Sequence, residues 1–214
     1  MRTDDLVDIL SRNVETADWR RVSWTIPRAA GLGALVALII MLLTFGPRTD
    51  LSDVRAWTFL AVKFAYAGAT IAISLAYLVR IARPGGERRV STLLLSLPSA
   101  AAVVAVTLSL LLAPMPDWRV MIFGQQWLLC LVCIPLNAIP PFAAMVLALR
   151  LFASPTHLTR AGALAGRASG GISAFVYALH CTDDSVAFVG LWYGLTIAFC
   201  TGIGALLGPR LLRW

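Results

Sequence analysis

Apolar residues in this 214-residue chain gather into six long runs, at Pro27–Phe45, Trp57–Ile81, Thr92–Ala113, Ile122–Leu149, Thr159–Leu179 and Val186–Leu207. About 20 residues of helix cross the hydrocarbon of a bilayer, and a helix satisfies its own backbone hydrogen bonds there. Between the runs stand short stretches of turn chemistry: Gly46-Pro47-Arg48, Arg83-Pro84-Gly85-Gly86, Pro114 with Pro116-Asp117, Ser154-Pro155 and Thr182-Asp183-Asp184. The pattern predicts an all-α polytopic transmembrane helical bundle of six spans over residues 26–214. Residues 1–25 are the only sizeable segment expected outside the membrane. That segment is mixed in charge and the first run leads to no small-residue cleavage site, which argues against a cleaved signal peptide.

Composition supports this reading. The chain is 59% hydrophobic and 14% charged, with a mean hydropathy of +0.80, and a small soluble globule cannot hide that much apolar surface. The net charge of +7 raises nucleic acid as a partner. However, the cations, all arginine except Lys63, cluster at the ends of apolar runs, a topology signal and not a groove-binding stripe. With the N-terminus inside, the cytoplasmic segments hold thirteen arginines: Arg2, Arg12, Arg20, Arg21, Arg28, Arg80, Arg83, Arg88, Arg89, Arg150, Arg160, Arg210 and Arg213. The opposite side holds four cations, Arg48, Arg55, Lys63 and Arg119, so both termini are expected in the cytoplasm. Trp57, Trp118, Trp127, Trp192 and Trp214 fall near span ends, where amphipathic rings prefer the interface. Arg167 lies inside the fifth run and is expected to snorkel back to the cytoplasmic face. Gly162, Gly166 and Gly170, with Gly204 and Gly208, have the four-residue spacing that lets helices approach closely.

Three stretches hold candidate chemistry. In the first, Thr3 can cap a helix whose first turn carries Asp4 and Asp5, with Leu6, Val7, Leu10 and Val14 as an apolar stripe. So short a helix needs a surface to bury that stripe against, either the membrane or bundle, or a cytoplasmic partner. The second is Cys130-Leu131-Val132-Cys133, which reads as a redox or metal-binding pair or as two small apolar residues in a span. The third is Tyr177-Ala178-Leu179-His180-Cys181-Thr182-Asp183-Asp184, where a thiol, an imidazole and two carboxylates crowd together. Cys181, His180 and Asp183, with Cys130 at a similar depth, form a candidate set for a soft or borderline metal ion. The plainer alternative is a polar loop with a capping Asp. No resident cofactor is expected, and hydrolase and nucleotide motifs are absent from the sequence.

The Thr3-Asp4-Asp5-Leu6 start resembles the NrsF family of six-span inner-membrane anti-sigma factors of proteobacteria. So do the Cys130…Ile134…Pro140 run closing on Leu149-Arg150, and Tyr177-Ala178-Leu179-His180-Cys181 leading to Phe188 and Trp192-Tyr193-Gly194. The resemblance implies a bacterial inner-membrane regulator, not an enzyme, that holds an extracytoplasmic-function sigma factor and releases it under heavy-metal or oxidative stress. It also implies two sensing cysteines near the periplasmic side, Cys130 and Cys181 by position, with Cys133 one turn away as the alternative to Cys130. The sigma factor supplies a partner for the tail stripe, and no direct nucleic-acid binding is implied. Two other classes stay open: a membrane thiol-disulfide oxidoreductase using Cys130, Cys133 and Cys181, and a small metal or solute transporter, for which the chain offers few intramembrane carboxylates.

Overall fold

The computed structural model describes residues 19–50, 52–83 and 91–213, and among them every regular element is helical. The tail stripe, including Asp4, Asp5, Leu6, Val7, Leu10 and Val14, and the loop 84–90 lie outside the described residues. The helices are α1 (Trp19–Thr44), α2 (Val54–Ile81), α3 (Thr92–Leu112), α4 (Trp118–Phe123), α5 (Trp127–Asn137), α6 (Ile139–Phe152), α7 (Leu158–Tyr177) and α8 (Val186–Leu211). Within α8, Val189–Tyr193 form a π-helical turn.

Five helical stretches are long and apolar enough to cross a membrane: Val22–Thr44, Val54–Ile81, Leu93–Leu112, Met115–Phe152 and Val186–Leu211. The stretch read as one run from Ile122 to Leu149 is broken twice. Gly124, at φ +51°, ends α4 and turns the chain into α5. Pro140 and Pro141 then lack the N–H groups that would continue α5, so α6 starts anew with proline in its first turn. Helix α7 is long enough to span but is not among the five, and the reason is its position. Its residues from Ala161 to Tyr177 are mostly buried against other helices, so it needs few lipid-facing apolar side chains and is built largely from Gly, Ala and Ser. The outer helices show the reverse, with Leu43, Leu93 and Leu112 among many large apolar side chains left exposed as a lipid-facing surface.

Two cores lie at opposite ends of α7. One gathers Val22, Ile26, Leu78, Ile81, Met145, Leu149, Ala161, Leu164 and Leu212, so the start of α1, the ends of α2, α6 and α8, and the start of α7 share one face. The other gathers Leu60, Cys130, Ile134, Tyr177, Cys181, Phe188, Trp192 and Tyr193. Helices α7 and α8 meet along the glycine spacing read in the sequence: a methyl group on Gly162 would strike Gly204 and Gly208, and one on Gly166 would strike the Cys200 carbonyl. The seam is backbone against backbone.

Candidate functional site

The second core is roofed by the loop that joins α7 to α8, and every polar residue in that loop is tied to a different element. At its start, the Leu179 carbonyl accepts from the Arg48 N–H at 2.9 Å. His180 Nδ1 stands 3.2 Å from the Gly46 carbonyl, and its ring packs against Phe45 at a centroid distance of 5.0 Å. Asp183 caps α5: its carboxylate accepts from Gln125 N at 3.0 Å and Gln126 N at 2.8 Å. Gly124 makes room for that carboxylate, because a β-carbon there would lie 2.7 Å from it. Ser185 Oγ donates to Met121 O at 2.9 Å and, at the π turn, Trp192 Nε1 donates to Ile122 O at 2.7 Å.

Asp184 anchors the centre. It accepts from Lys63 Nζ at 3.0 Å and from Arg48 Nη2 at 2.8 Å. Both cationic side chains are 0% exposed and Asp184 is 15% exposed. Arg48 also forms a two-pronged pair with Asp50, at 2.6 and 2.7 Å. The carboxylates hold the guanidinium above its ordinary range, and the guanidinium holds Asp50 below the usual carboxylate range. Lys63 gives a second hydrogen bond, 2.8 Å, to the Cys181 carbonyl.

Beneath this network the two sequence-nominated cysteines come together. Cys130 on α5 and Cys181 in the loop are both fully buried, unbridged, and packed in the same core within interaction range of each other. Interaction with the Cys130 thiol lowers the Cys181 thiol from its ordinary value, the Lys63 charge and the Asp183 backbone adding to it against burial. The hydroxyls of Tyr177 and Tyr193 are buried, have no hydrogen-bond partner among the described residues, and lie within electrostatic reach of both sulfurs. Cys133 is half-buried and faces a separate apolar cavity of about 250 Å³ with Met41, Phe45 and Tyr177. Cys200 is buried in the seam beside Gly170.

Of the metal set nominated from sequence, the structure therefore unites Cys130 and Cys181 but gives the His180 ring and the Asp183 carboxylate other partners. No cluster of three or more His, Cys, Asp or Glu ligands occurs among the described residues. Two soft sulfur donors fit a thiophilic ion, and His180 or Asp183 can add to them only by leaving its present contact. Arg167 Nη2 donates to Leu95 O and Ser99 Oγ, in the first two turns of α3, at 2.8 and 3.2 Å. One expectation is corrected. Trp192 is not an interfacial ring but a core residue, 8% exposed and packed on Trp127 at 5.2 Å. The network of Lys63, Asp184, Arg48 and Asp50 was not nominated. Its signal was the chain's lone lysine placed well inside an apolar run.

The family model "NrsF: Negative regulator of sigma F" matches residues 10–214. A curated relative from Azospira oryzae, "Probable anti-sigma-F factor NrsF", is 30% identical over 214 residues, covering all of both chains. Another from Caulobacter vibrioides, "Anti-sigma-F factor NrsF", is 33% identical over 219 residues, again covering all of both. No solved structure matches.

Proposed function

The chain belongs to the NrsF family of negative regulators of sigma F, and from that premise we propose a membrane-embedded anti-sigma factor whose Cys130–Cys181 pair senses a thiophilic metal ion or an oxidant. It crosses the bacterial inner membrane six times, α7 joining the five long apolar stretches as the fifth span in chain order, with both termini in the cytoplasm. Its N-terminal tail holds a sigma factor of the extracytoplasmic-function class through Leu6, Leu10 and the residues around them. The protein regulates by binding and release and performs no catalysis.

The observation that carries the reading is the buried contact between Cys130 and Cys181. A thiol pair made only for packing has no need of a lysine, an aspartate and an arginine stationed over it. Each inducer acts on the same two sulfurs. A thiophilic cation displaces the thiol protons and bridges the sulfurs. A peroxide is attacked by the Cys181 thiolate, releasing water and leaving a sulfenic acid. Cys130 then displaces the second oxygen as water, so two electrons and two protons pass from the pair to the peroxide. The new bond, about 2.05 Å, is far shorter than any contact between unbonded sulfurs. Either event shifts the loop, and the loop is fixed to the residues just beyond α1 through Arg48 and His180. Helix α1 leads back to the tail, which gives the signal a route to the bound partner.

The test is co-purification of the sigma factor with the full-length protein, before and after cadmium or peroxide. Retention before treatment and loss after it, with C181S and C130S retaining the partner throughout, is the expected result. Release from the cysteine variants equal to wild type would remove the pair from sensing. No sigma factor in any preparation would defeat the anti-sigma reading itself.

A further inference from the structure

The sensing scheme leaves one charge unused. Arg167 sits midway along α7, inside the bundle. Its Nε is buried without a partner, and no carboxylate pairs with the guanidinium among the described residues. Arginine does not shed its proton in such a place, and a bare charge at membrane depth is costly. The geometry calls for an anion.

The neighbourhood has the polarity of an amphipathic ligand. Arg167 bonds Leu95 and Ser99, which lie in the first two turns of α3. In sequence that end of α3 follows Arg80 and Arg83 at the close of α2, and then Arg88 and Arg89. Tyr66 stands beside Ser99 and Arg167. Past this polar point an apolar crevice of about 340 Å³ opens between α2, α3 and α8, lined by Tyr66, Pro98, Ala101, Ala102, Ala105 and Val189. From Pro98 to Ala105 the crevice follows α3 for about 10 Å toward the bilayer middle. It closes where Val106 presses on Gly190. Small, smooth residues therefore continue along α3 from the turns that hold the Arg167 guanidinium.

We propose that Arg167 and Ser99 bind the phosphate of an anionic phospholipid from the cytoplasmic leaflet, with one acyl chain lying in the α2–α3–α8 crevice. Basic pockets between transmembrane helices are established seats for such head groups. The bound phosphate supplies the missing counter-charge, and the chain fills a gap that α3 leaves because it packs so loosely.

Lipid retention by the purified full-length protein, read by native mass spectrometry and thermal shift, tests the site. Phosphatidylglycerol should be retained at least about tenfold over phosphatidylcholine, a preference cut to below about threefold in R167Q. In A102F, which blocks the crevice and leaves the charge, phosphatidylglycerol retention should fall in parallel. If R167Q does not fold, S99A and A102F carry the comparison. Three results would overturn the proposal: equal retention of the two lipids by wild type, a preference untouched by R167Q, or equal protection by inorganic phosphate alone. Loss of the preference in E87Q would equally count against it, since it would show a counter-ion within the chain.

Discussion

Changing Asp184 to Asn tests the roof over the cysteines with the shape of the side chain preserved. Asp184 is the shared counter-charge of two cations whose side chains are 0% exposed. In D184N, Arg48 keeps Asp50, but Lys63 keeps only the Cys181 carbonyl. Breaking a buried pair from one side costs about 3–5 kcal/mol. Asp184 retains some solvent contact and Arg48 retains a partner, which sets the low end, about 3 kcal/mol. The cost falls on the loop, so opening of the loop becomes easier by about that amount, or roughly 100-fold in population at 1.4 kcal/mol per decade. In a C133S/C200S background the maleimide labelling rate of Cys130 and Cys181 in nanodiscs reports that opening. D184N should label about 100-fold faster than its parent, and K63M/D184N should label more slowly than D184N alone because one stranded cation is gone. A D184N rate within about threefold of the parent would refute the argument that this network holds the loop shut.

Three further outcomes are expected. Gly124→Ala places a β-carbon in a glycine-only backbone region, with Asp183 in its way. The strain of about 1–3 kcal/mol should raise thiol labelling about fivefold or more, and an unchanged rate would count against the Asp183 cap. Gly166→Val drives a branched side chain into the Cys200 carbonyl. It should abolish a cooperative thermal transition in detergent, whereas Gly202→Ala, with open space around it, should leave the melting curve unchanged. The lowered Cys181 thiol sets a pH dependence. A depressed folded value favours the thiolate, so its stabilisation is complete above the unfolded value near 8.5 and is lost as pH falls through the folded one. Thiolate absorbance that disappears with C181S should therefore titrate below pH 8.5 in the wild type and move upward in C130A; coincident profiles would deny Cys130 its role.

The helices were legible because span length is imposed by the solvent. Any run of about 20 apolar residues has few alternatives to crossing the bilayer, and α1, α2, α3 and α8 follow their runs within a few residues at most ends. What escaped was set by neighbours rather than by composition. The breaks at Gly124 and Pro140-Pro141 sit inside apolar sequence whose average conceals them. Trp192 has the position of an interfacial ring, but the π turn directs it inward to Ile122. Cys130 and Cys181 could be nominated because thiols near one depth invite pairing. The partners of His180 and Asp183 could not, since Gly46 and the α5 N-terminus reach them only through the fold. Lys63 was counted as one more outer-face charge, although its place within an apolar run already required a buried counter-charge.

The small-residue make-up of α7 also bears on how the chain enters the membrane. A nascent helix partitions into lipid on its own hydrophobicity, and an arginine near its centre weighs heavily against entry. Helix α7 carries Arg167 and a surface of Gly, Ala and Ser that is complementary to protein and not to acyl chains. It gains little by leaving the translocon alone. Its seam with α8 supplies what lipid does not, so the two should enter as a hairpin, the seventh helix waiting for the eighth to be synthesised. The loop that carries Cys181 joins those two helices, and Cys181 can therefore meet Cys130 only after α8 has emerged from the ribosome. A chain truncated within α8 would lose its core helix along with its final one.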